Sequence, residues 1–323
     1  MPTPVIVTGA AGFIGSHLTA SLLADGHRVV GIDNFDPFYD RAAKEANIAR
    51  VATADLELVE ADLLDRAAIE RTVQDTQPAD VYHLAALAGV RPSTLEPARF
   101  ASVNVTGLVN ILDAARASGC RSFVFASSSS VYGNLATVPF SETDDVSAPI
   151  SPYAATKRAG ELLGHTYAHL FDLSIAAVRL FTVFGPGQRP DLAISRFMRL
   201  IADGDEIPRF GDGSSSRDYT YVDDIVRGLR AAAVRLGESD PGFFRIYNLG
   251  GAHPVTLTEM IETIGAVVGR TPRIRELPMQ PGDVERTFAD LTRSRAELGF
   301  EPQVGFREGL ERQWAWMQGW MQG

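Results

Sequence analysis

The stretch that most constrains this chain is Thr8-Gly9-Ala10-Ala11-Gly12-Phe13-Ile14-Gly15. It sits between an apolar run, Val5-Ile6-Val7, and a helical pattern from about Ile14 to Ala24. Glycines at a strand-to-helix junction let the backbone turn tightly and approach a pyrophosphate, whose charge then rests on the helix N-terminus. The spacing is G-x-x-G-x-x-G, one residue longer than the common dinucleotide fingerprint. A glycine triplet alone says little; its place between strand and helix gives it meaning.

The rest of the first half keeps the same rhythm. Apolar runs recur at Arg28–Ile32, Leu56–Val59, Val81–Leu84, Phe123–Phe125 and Ile175–Val178. Helical stretches lie between them, notably at about 98–118 and 152–170. Continuous apolar strands alternating with helices predict a parallel sheet covered on both faces, and right-handed crossovers make it doubly wound. The fold expected is therefore α/β and Rossmann-like, with a smaller C-terminal α/β lobe. After about Phe181 the chain turns Pro- and Gly-rich, as at Gly185-Pro186-Gly187 and Gly211-Asp212-Gly213, which suits loops over a ligand. Residues 1–181, with 219–250 returning, are expected to bind the dinucleotide; 182–218 and 251–323 are expected to form the substrate lobe.

Asp33 ends the second apolar run, where a carboxylate would accept hydrogen bonds from the adenosine ribose. It would repel a 2′-phosphate, and no arginine follows at once, so NAD is expected rather than NADP. Asp62-Leu63, after the third run, are candidates to flank the adenine.

Composition narrows the partners. A formal net charge of -10 argues against nucleic acid as the main ligand. Cys120 is the sole cysteine, so neither a disulfide framework nor a cysteine-based metal site is available. No metal, signal peptide or membrane-spanning run is expected, and the setting expected is cytoplasmic. Of 30 Lys+Arg, only Lys44 and Lys157 are lysines, so a lysine in a suspected site is informative.

Tyr153 and Lys157 are four residues apart at the start of a helical stretch and share one face. An ammonium beside a phenol stabilises the phenolate and lowers its pKa. With 8 tyrosines and 2 lysines, chance gives such a pair in roughly one chain in twenty, so accident explains it poorly.

With these motifs the chain resembles the extended short-chain dehydrogenase/reductase family, within it the nucleotide-sugar epimerases and dehydratases. The matching stretches are the glycine loop, His83-Leu84-Ala85-Ala86, Ser127 to Gly133 and Tyr153 to Lys157. Arg179 to Pro186, Arg217 to Asp224 and Pro281-Gly282-Asp283 continue the match in order. The resemblance implies that Tyr153 is the acid/base, that Lys157 tunes it and that Ser128 assists. It implies a dinucleotide site of Gly9, Gly12, Phe13, Ile14, Gly15, Asp33, Asn34, Asp62, Leu63, Leu84, Ala85, Ala86 and Asn104, together with Tyr153 and Lys157. It also implies a homodimer built through the two helical stretches at about 98–118 and 152–170.

The family's dehydratases resemble T-D-E-V-Y-G where this chain has Ser128-Ser129-Ser130-Val131-Tyr132-Gly133, so the acid pair that drives elimination is absent. Related decarboxylases usually carry Glu where Ser130 stands. What remains is C4 epimerisation through a 4-keto sugar. Thr182, where UDP-galactose 4-epimerases usually carry Asn, and the run Gln188 to Ala193 look like the glucuronate 4-epimerases. Hydroxyls of Ser128, Ser129, Ser130 and Thr182 are then candidates to hold a C6 carboxylate. Arg189 and Arg217 suit a diphosphate, since guanidinium matches phosphate geometry. Arg91 suits either anion, Ala193 falls in the same substrate set, and Asp283 matches the family's ribose-binding acid. A UDP-glucose/UDP-galactose 4-epimerase is the alternative within the class. A non-catalytic dinucleotide sensor lies outside it; such proteins typically lose the Tyr or the Lys, and both are present here.

Overall fold

In the computed structural model, residues 4–278 and 285–322 are described. Strands β1 (Pro4–Thr8), β2 (Arg28–Asp33), β3 (Leu56–Glu60), β4 (Asp80–His83), β5 (Ser122–Ser128) and β6 (Ser174–Leu180) grow from the apolar runs of the first half. Strands β7 (Thr182–Phe184), β8 (Glu206–Phe210), β9 (Ser216–Tyr221), β10 (Phe244–Leu249), β11 (Pro254–Thr256) and β12 (Arg273–Leu277) follow. Seven of them form one sheet in the order β10-β6-β5-β4-β1-β2-β3, with every neighbouring pair parallel.

Apolar side chains on both faces explain why the strands read as unbroken runs. Ile6, Val30, Val81 and Phe123 feed one core layer, whereas Val5, Val7, Val29 and Val124 feed the other. The strand order reverses between β1 and β4, and a crevice opens beyond the carboxyl ends of the strands at such a point.

Helix Phe13–Ala24 starts directly on the glycine turn, and helix Pro152–Phe171 is capped by Ser151, whose Oγ accepts from Ala154 N at 3.1 Å. The stretch expected as one helix near 98–118 is helix Pro97–Ala101 and helix Gly107–Ala117, joined by a π-helical turn at Ser102–Thr106. That turn widens the ladder at Asn104, a member of the expected dinucleotide set.

Immediately after β6 the chain leaves the main sheet. β11, β9 and β7 form a three-stranded sheet, and β12 pairs with β8. Helices Ala193–Asp203, Leu257–Val268 and Phe306–Gln322 close a separate core that includes Phe184, Phe197, Met198, Ile261 and Leu310. Among the described residues no helix is long and apolar enough to cross a membrane.

Candidate active site

The glycine turn packs backbone against backbone. Gly9 has φ +72°, and a Cβ there would lie 2.9 Å from the Ala85 amide nitrogen. A Cβ on Gly15 would lie 1.9 Å from the Gly9 carbonyl oxygen. No side chain caps the helix that starts at Phe13, so its first N–H groups stay available at the rim. They open on a cleft of about 380 Å³ at the reversal point of the sheet. Gly9, Gly12, Phe13, Ile14, Gly15, Leu84, Ala85 and Ala86 all line it.

Asp33, Asn34, Asp62 and Leu63 line the same cleft. The Asp33 carboxylate accepts from Ala11 N at 3.1 Å and from Phe35 N at 2.8 Å. Asn34 Nδ2 donates to Asp62 Oδ2 at 2.9 Å, tying the ends of β2 and β3 together. Lys44 completes this corner: its ammonium lies 3.6 Å from Asp33 Oδ1 and 4.9 Å from the centre of the Tyr39 ring. Burial, then the Asp33 charge, pushes the Tyr39 phenol well above its usual range. Lys44 and Tyr39 both line the cleft and were not assigned from sequence. The signal for Lys44 was its rarity, because it is one of only two lysines. An uncapped helix N-terminus, a buried carboxylate and a lysine on one cleft fit a dinucleotide's pyrophosphate and ribose.

Ser128, Tyr153 and Lys157 line the opposite wall. Lys157 Nζ donates to the Ala126 carbonyl at 2.8 Å and lies 5.9 Å from the centre of the Tyr153 ring. Enclosure raises the Tyr153 phenol above its ordinary value; a hydrogen bond with Ser128 and the Arg189 guanidinium pull it back down. Lys157 is thus not the group that lowers this phenol here; its ammonium is spent on the strand. Burial in turn pushes the Lys157 amine down to about 7. Burial and the Lys157 charge push His83 to about 3, so that imidazole is neutral; its Nδ1 lies 2.8 Å from Thr8 Oγ1.

Thr182 and Arg189 line the cleft beyond Tyr153. Arg189 packs over Phe38 at 4.8 Å, donates to the Ala88 carbonyl at 3.2 Å and pairs with Asp191 at 2.7 Å. It thereby joins three segments above the site. The loop that carries it is tied to the C-terminal helix. Gln313 accepts from Gly185 N at 2.9 Å and donates to Gln188 Oε1 at 3.0 Å, all buried.

Other sequence-derived candidates do not line the cleft. Ser129 and Ser130 begin a short 3-10 turn (Ser129–Tyr132), and Ser130 Oγ accepts from Ser128 Oγ at 3.1 Å. Asn104 is buried behind the wall, where it donates to the Leu87 carbonyl at 3.0 Å and accepts from Leu87 N at 2.9 Å. It fastens the segment after β4. Arg91 lies in the helix Val90–Leu95, with its guanidinium 5.6 Å from the centre of the Phe210 ring. Ala193 is exposed at the start of its helix. Arg217, on β9, donates to the Ser216 and Glu285 carbonyls at 2.9 and 3.3 Å. Asp283 lies outside the described residues.

A parallel sheet with a dinucleotide-type corner and a Tyr–Lys pair across one cleft defines a class that sequence comparison makes specific. The family model described as GDP-mannose 4,6 dehydratase matches residues 6–313, and the chain belongs to that family of extended short-chain dehydrogenase/reductases. It is 39% identical to a probable UDP-glucuronate 4-epimerase of Rhizobium meliloti (strain 1021), over 96% of each chain. The UDP-glucuronic acid 4-epimerase of Bacillus cereus, solved with UDP-glucuronic acid and NAD, is 32% identical with a TM-score of 0.90, covering 98% of this chain and 100% of that one. The UDP-glucose 4-epimerase of Thermotoga maritima, solved with UDP-glucose, is 30% identical with a TM-score of 0.87, covering 99% and 100%. These three proteins carry 4-epimerase names, although the family model is described by a dehydratase.

Proposed function

We propose that this chain is an isomerase, an NAD-dependent UDP-sugar 4-epimerase whose substrate is UDP-glucuronate and whose product is UDP-galacturonate. The observation that carries the reaction type is the wall formed by Ser128, Tyr153 and Lys157 facing the Asp33 corner across one cleft, with Ser129 and Ser130 where an elimination enzyme needs acids. The sugar is supported by Thr182 at the cleft and by the uronate names of the relatives.

Residues 1–181 and 219–250 hold the dinucleotide in this reading, through the N–H groups at Phe13 and Ile14, the Asp33 carboxylate and Lys157. Residues 182–218 and 251–323 bind the UDP-sugar in this reading, with Arg189 and Arg217 for the diphosphate, Asp283 for the ribose and Ala193 in the same substrate set; Arg91, from the other part of the chain, serves the diphosphate or the sugar carboxylate. The chemistry supplied by bound NAD is reversible hydride acceptance at the sugar's C4. As the phenolate, Tyr153 Oη takes the C4 hydroxyl proton as the ketone forms and returns it as the alcohol re-forms. Ser128 orients that hydroxyl. Nothing is consumed, so the net change is inversion at one carbon.

The 4-keto uronate is a β-keto acid and loses CO₂ when its carboxylate is free to align with the ketone. Hydroxyls of Ser128 and Thr182 restrain it by orientation. Ser129 and Ser130 stand off the cleft, which favours a second reading, UDP-glucose/UDP-galactose 4-epimerisation. Incubating the purified enzyme with UDP-glucuronate and with UDP-glucose, and reading products by NMR, decides between them. Equal turnover of both, or of UDP-glucose alone, overturns the uronate reading. A homodimer in the cytoplasm completes the proposal, supported by exposed Leu162, Leu170 and Phe171 on helix Pro152–Phe171 and by a single, buried cysteine.

A further inference from the structure

Helix Pro152–Phe171 carries a third residue on the face of Tyr153 and Lys157. Glu161 stands four residues beyond Lys157 and is buried. Its Oε1 accepts from Ser127 Oγ at 2.7 Å and from Arg179 Nε at 2.8 Å. Its Oε2 accepts from Arg179 Nη2 at 2.9 Å and from Arg158 Nη1 at 3.0 Å. Ser127 and Arg179 are register partners on β5 and β6. Two successive residues of β5 are therefore bonded to one helix face, Ala126 to Lys157 and Ser127 to Glu161, and Ser128, next along the strand, lines the cleft with Tyr153.

A buried carboxylate–guanidinium pair is a poor device for stability alone. Desolvating both charges offsets most of their attraction, and apolar replacements of equal volume are often as stable. What the pair does supply is fixed geometry, because a bidentate fork admits one arrangement. Here that arrangement ends on the strand tip that carries Ser128.

We propose that Glu161, braced by Arg179, is a positioning residue for the epimerase reaction: it fixes the tip of β5 so that Ser128 and Lys157 stand correctly against Tyr153. This rests on the epimerase reading above. Glu161 touches neither sugar nor dinucleotide and acts through Ser127. A misplacement of about 1 Å at reacting groups can cost about 10²-fold in rate.

The test uses the full-length holoenzyme and the variants Glu161→Gln, Ser127→Ala and Ser127→Thr. Glu161→Gln keeps the shape and removes the charge. It should lower kcat about ten-fold or more, with a smaller change in KM, because the nucleotide-binding residues away from the β5 tip are untouched. Ser127→Ala should lower kcat in the same sense without stranding a buried charge, and Ser127→Thr, which keeps the hydroxyl, should restore most of it. A second readout is independent of turnover. Lysine labelled with ¹⁵N gives two side-chain signals, from Lys44 and Lys157. In Glu161→Gln a displaced β5 tip should loosen the contact of Lys157 with the Ala126 carbonyl and so move the Lys157 titration, which burial sets in the wild type. Folded variants with wild-type kcat, an unmoved Lys157 titration and no difference between Ser127→Ala and Ser127→Thr overturn the proposal. If Glu161→Gln does not fold, the two Ser127 variants decide. If the wild type converts no UDP-sugar, the functional reading fails, and the Lys157 titration still judges the role of Glu161.

Discussion

Lys44 Nζ lies 3.6 Å from Asp33 Oδ1 at the corner of the cleft that suits an adenosine ribose, and both side chains are buried. The carboxylate alone would repel a 2′-phosphate; the ammonium beside it is neutralised as long as Asp33 is present. Asp33→Ala should therefore do two things. NAD affinity should fall by about ten- to a hundred-fold, since a hydrogen bond to a charged group contributes about 1.5–3 kcal/mol. NADP affinity should rise relative to NAD, because Lys44 is left to meet the phosphate. Calorimetric titration of both dinucleotides checks this, and a wild type that prefers NADP would falsify the assignment of Asp33.

Tyr153→Phe removes one hydroxyl from the cleft wall and nothing from the core. The circular dichroism spectrum and melting temperature should stay close to wild type. Turnover should drop by ~10²–10⁴-fold, the usual cost of losing a positioned acid/base. Near-normal turnover would mean that another group moves the proton.

Lys157 should cost the fold stability that its chemistry requires. Its folded-state value is depressed from 10.5 to about 7 by burial. Above 10.5 the amine is neutral whether folded or not, and the full stability is present. As pH falls from 10.5 toward 7, the unfolded chain takes up a proton that the folded chain does not, so stability is lost across that window. Lys157→Met escapes the loss. It should be inactive, yet more stable than wild type by up to roughly 5 kcal/mol at pH 7, with the gap closing toward pH 10. Urea unfolding of dinucleotide-free protein at several pH values measures the gap; a gap that widens with rising pH contradicts the sign.

Thr182→Ala tests the sugar. If Thr182 and Ser128 restrain a carboxylate, loosening it should let some keto intermediate lose CO₂, leaving a pentose product and stranded NADH. Discrimination against UDP-glucose should also fall by about ten- to a hundred-fold, the equivalent of one charged hydrogen bond. Mass spectrometry of products and absorbance of NADH report both effects. Unchanged products and unchanged discrimination would place this chain with the neutral-sugar epimerases.

Leu162 and Leu170, two turns apart on helix Pro152–Phe171, are exposed. An apolar stripe of this kind suits a helix-on-helix dimer. Sedimentation at micromolar concentration should show a dimer, and Leu162→Glu with Leu170→Glu should yield a monomer. A monomeric wild type counts against the assembly.

The main sheet was legible because a strand buried on both faces writes itself as a continuous apolar run, and the glycine turn marks where the first strand meets its helix. β10 and the small sheets were harder, since β7, β11 and the mixed-polarity β9 are short or carry charge. Within the cleft, groups set by local spacing, such as the Tyr153–Lys157 pair, could be named in advance. Groups set by long-range contact could not. The family resemblance implies Asn104 at the dinucleotide, but its amide is used by Leu87, 17 residues away. Lys44 meets Asp33 only because the helix Arg41–Ala49 folds back against the first helix and the glycine turn. Glu161 and Arg179 are 18 residues apart, and only the pairing of β5 with β6 sets Ser127 beside Arg179 on the same carboxylate.

Both lysines are buried, at 6% and 4% exposure, while arginine supplies the positive charge of the surface. Amine-directed reagents therefore find no side chain to attack on the folded protein. Lysine cross-linkers would report a single chain whatever the true assembly, so subunit contacts must be trapped through carboxylates or engineered cysteines. The same scarcity is useful at the bench: dye coupling or surface immobilisation through amines will not scatter attachment points across the molecule, and any amine label that enters a lysine reports that the cleft has opened.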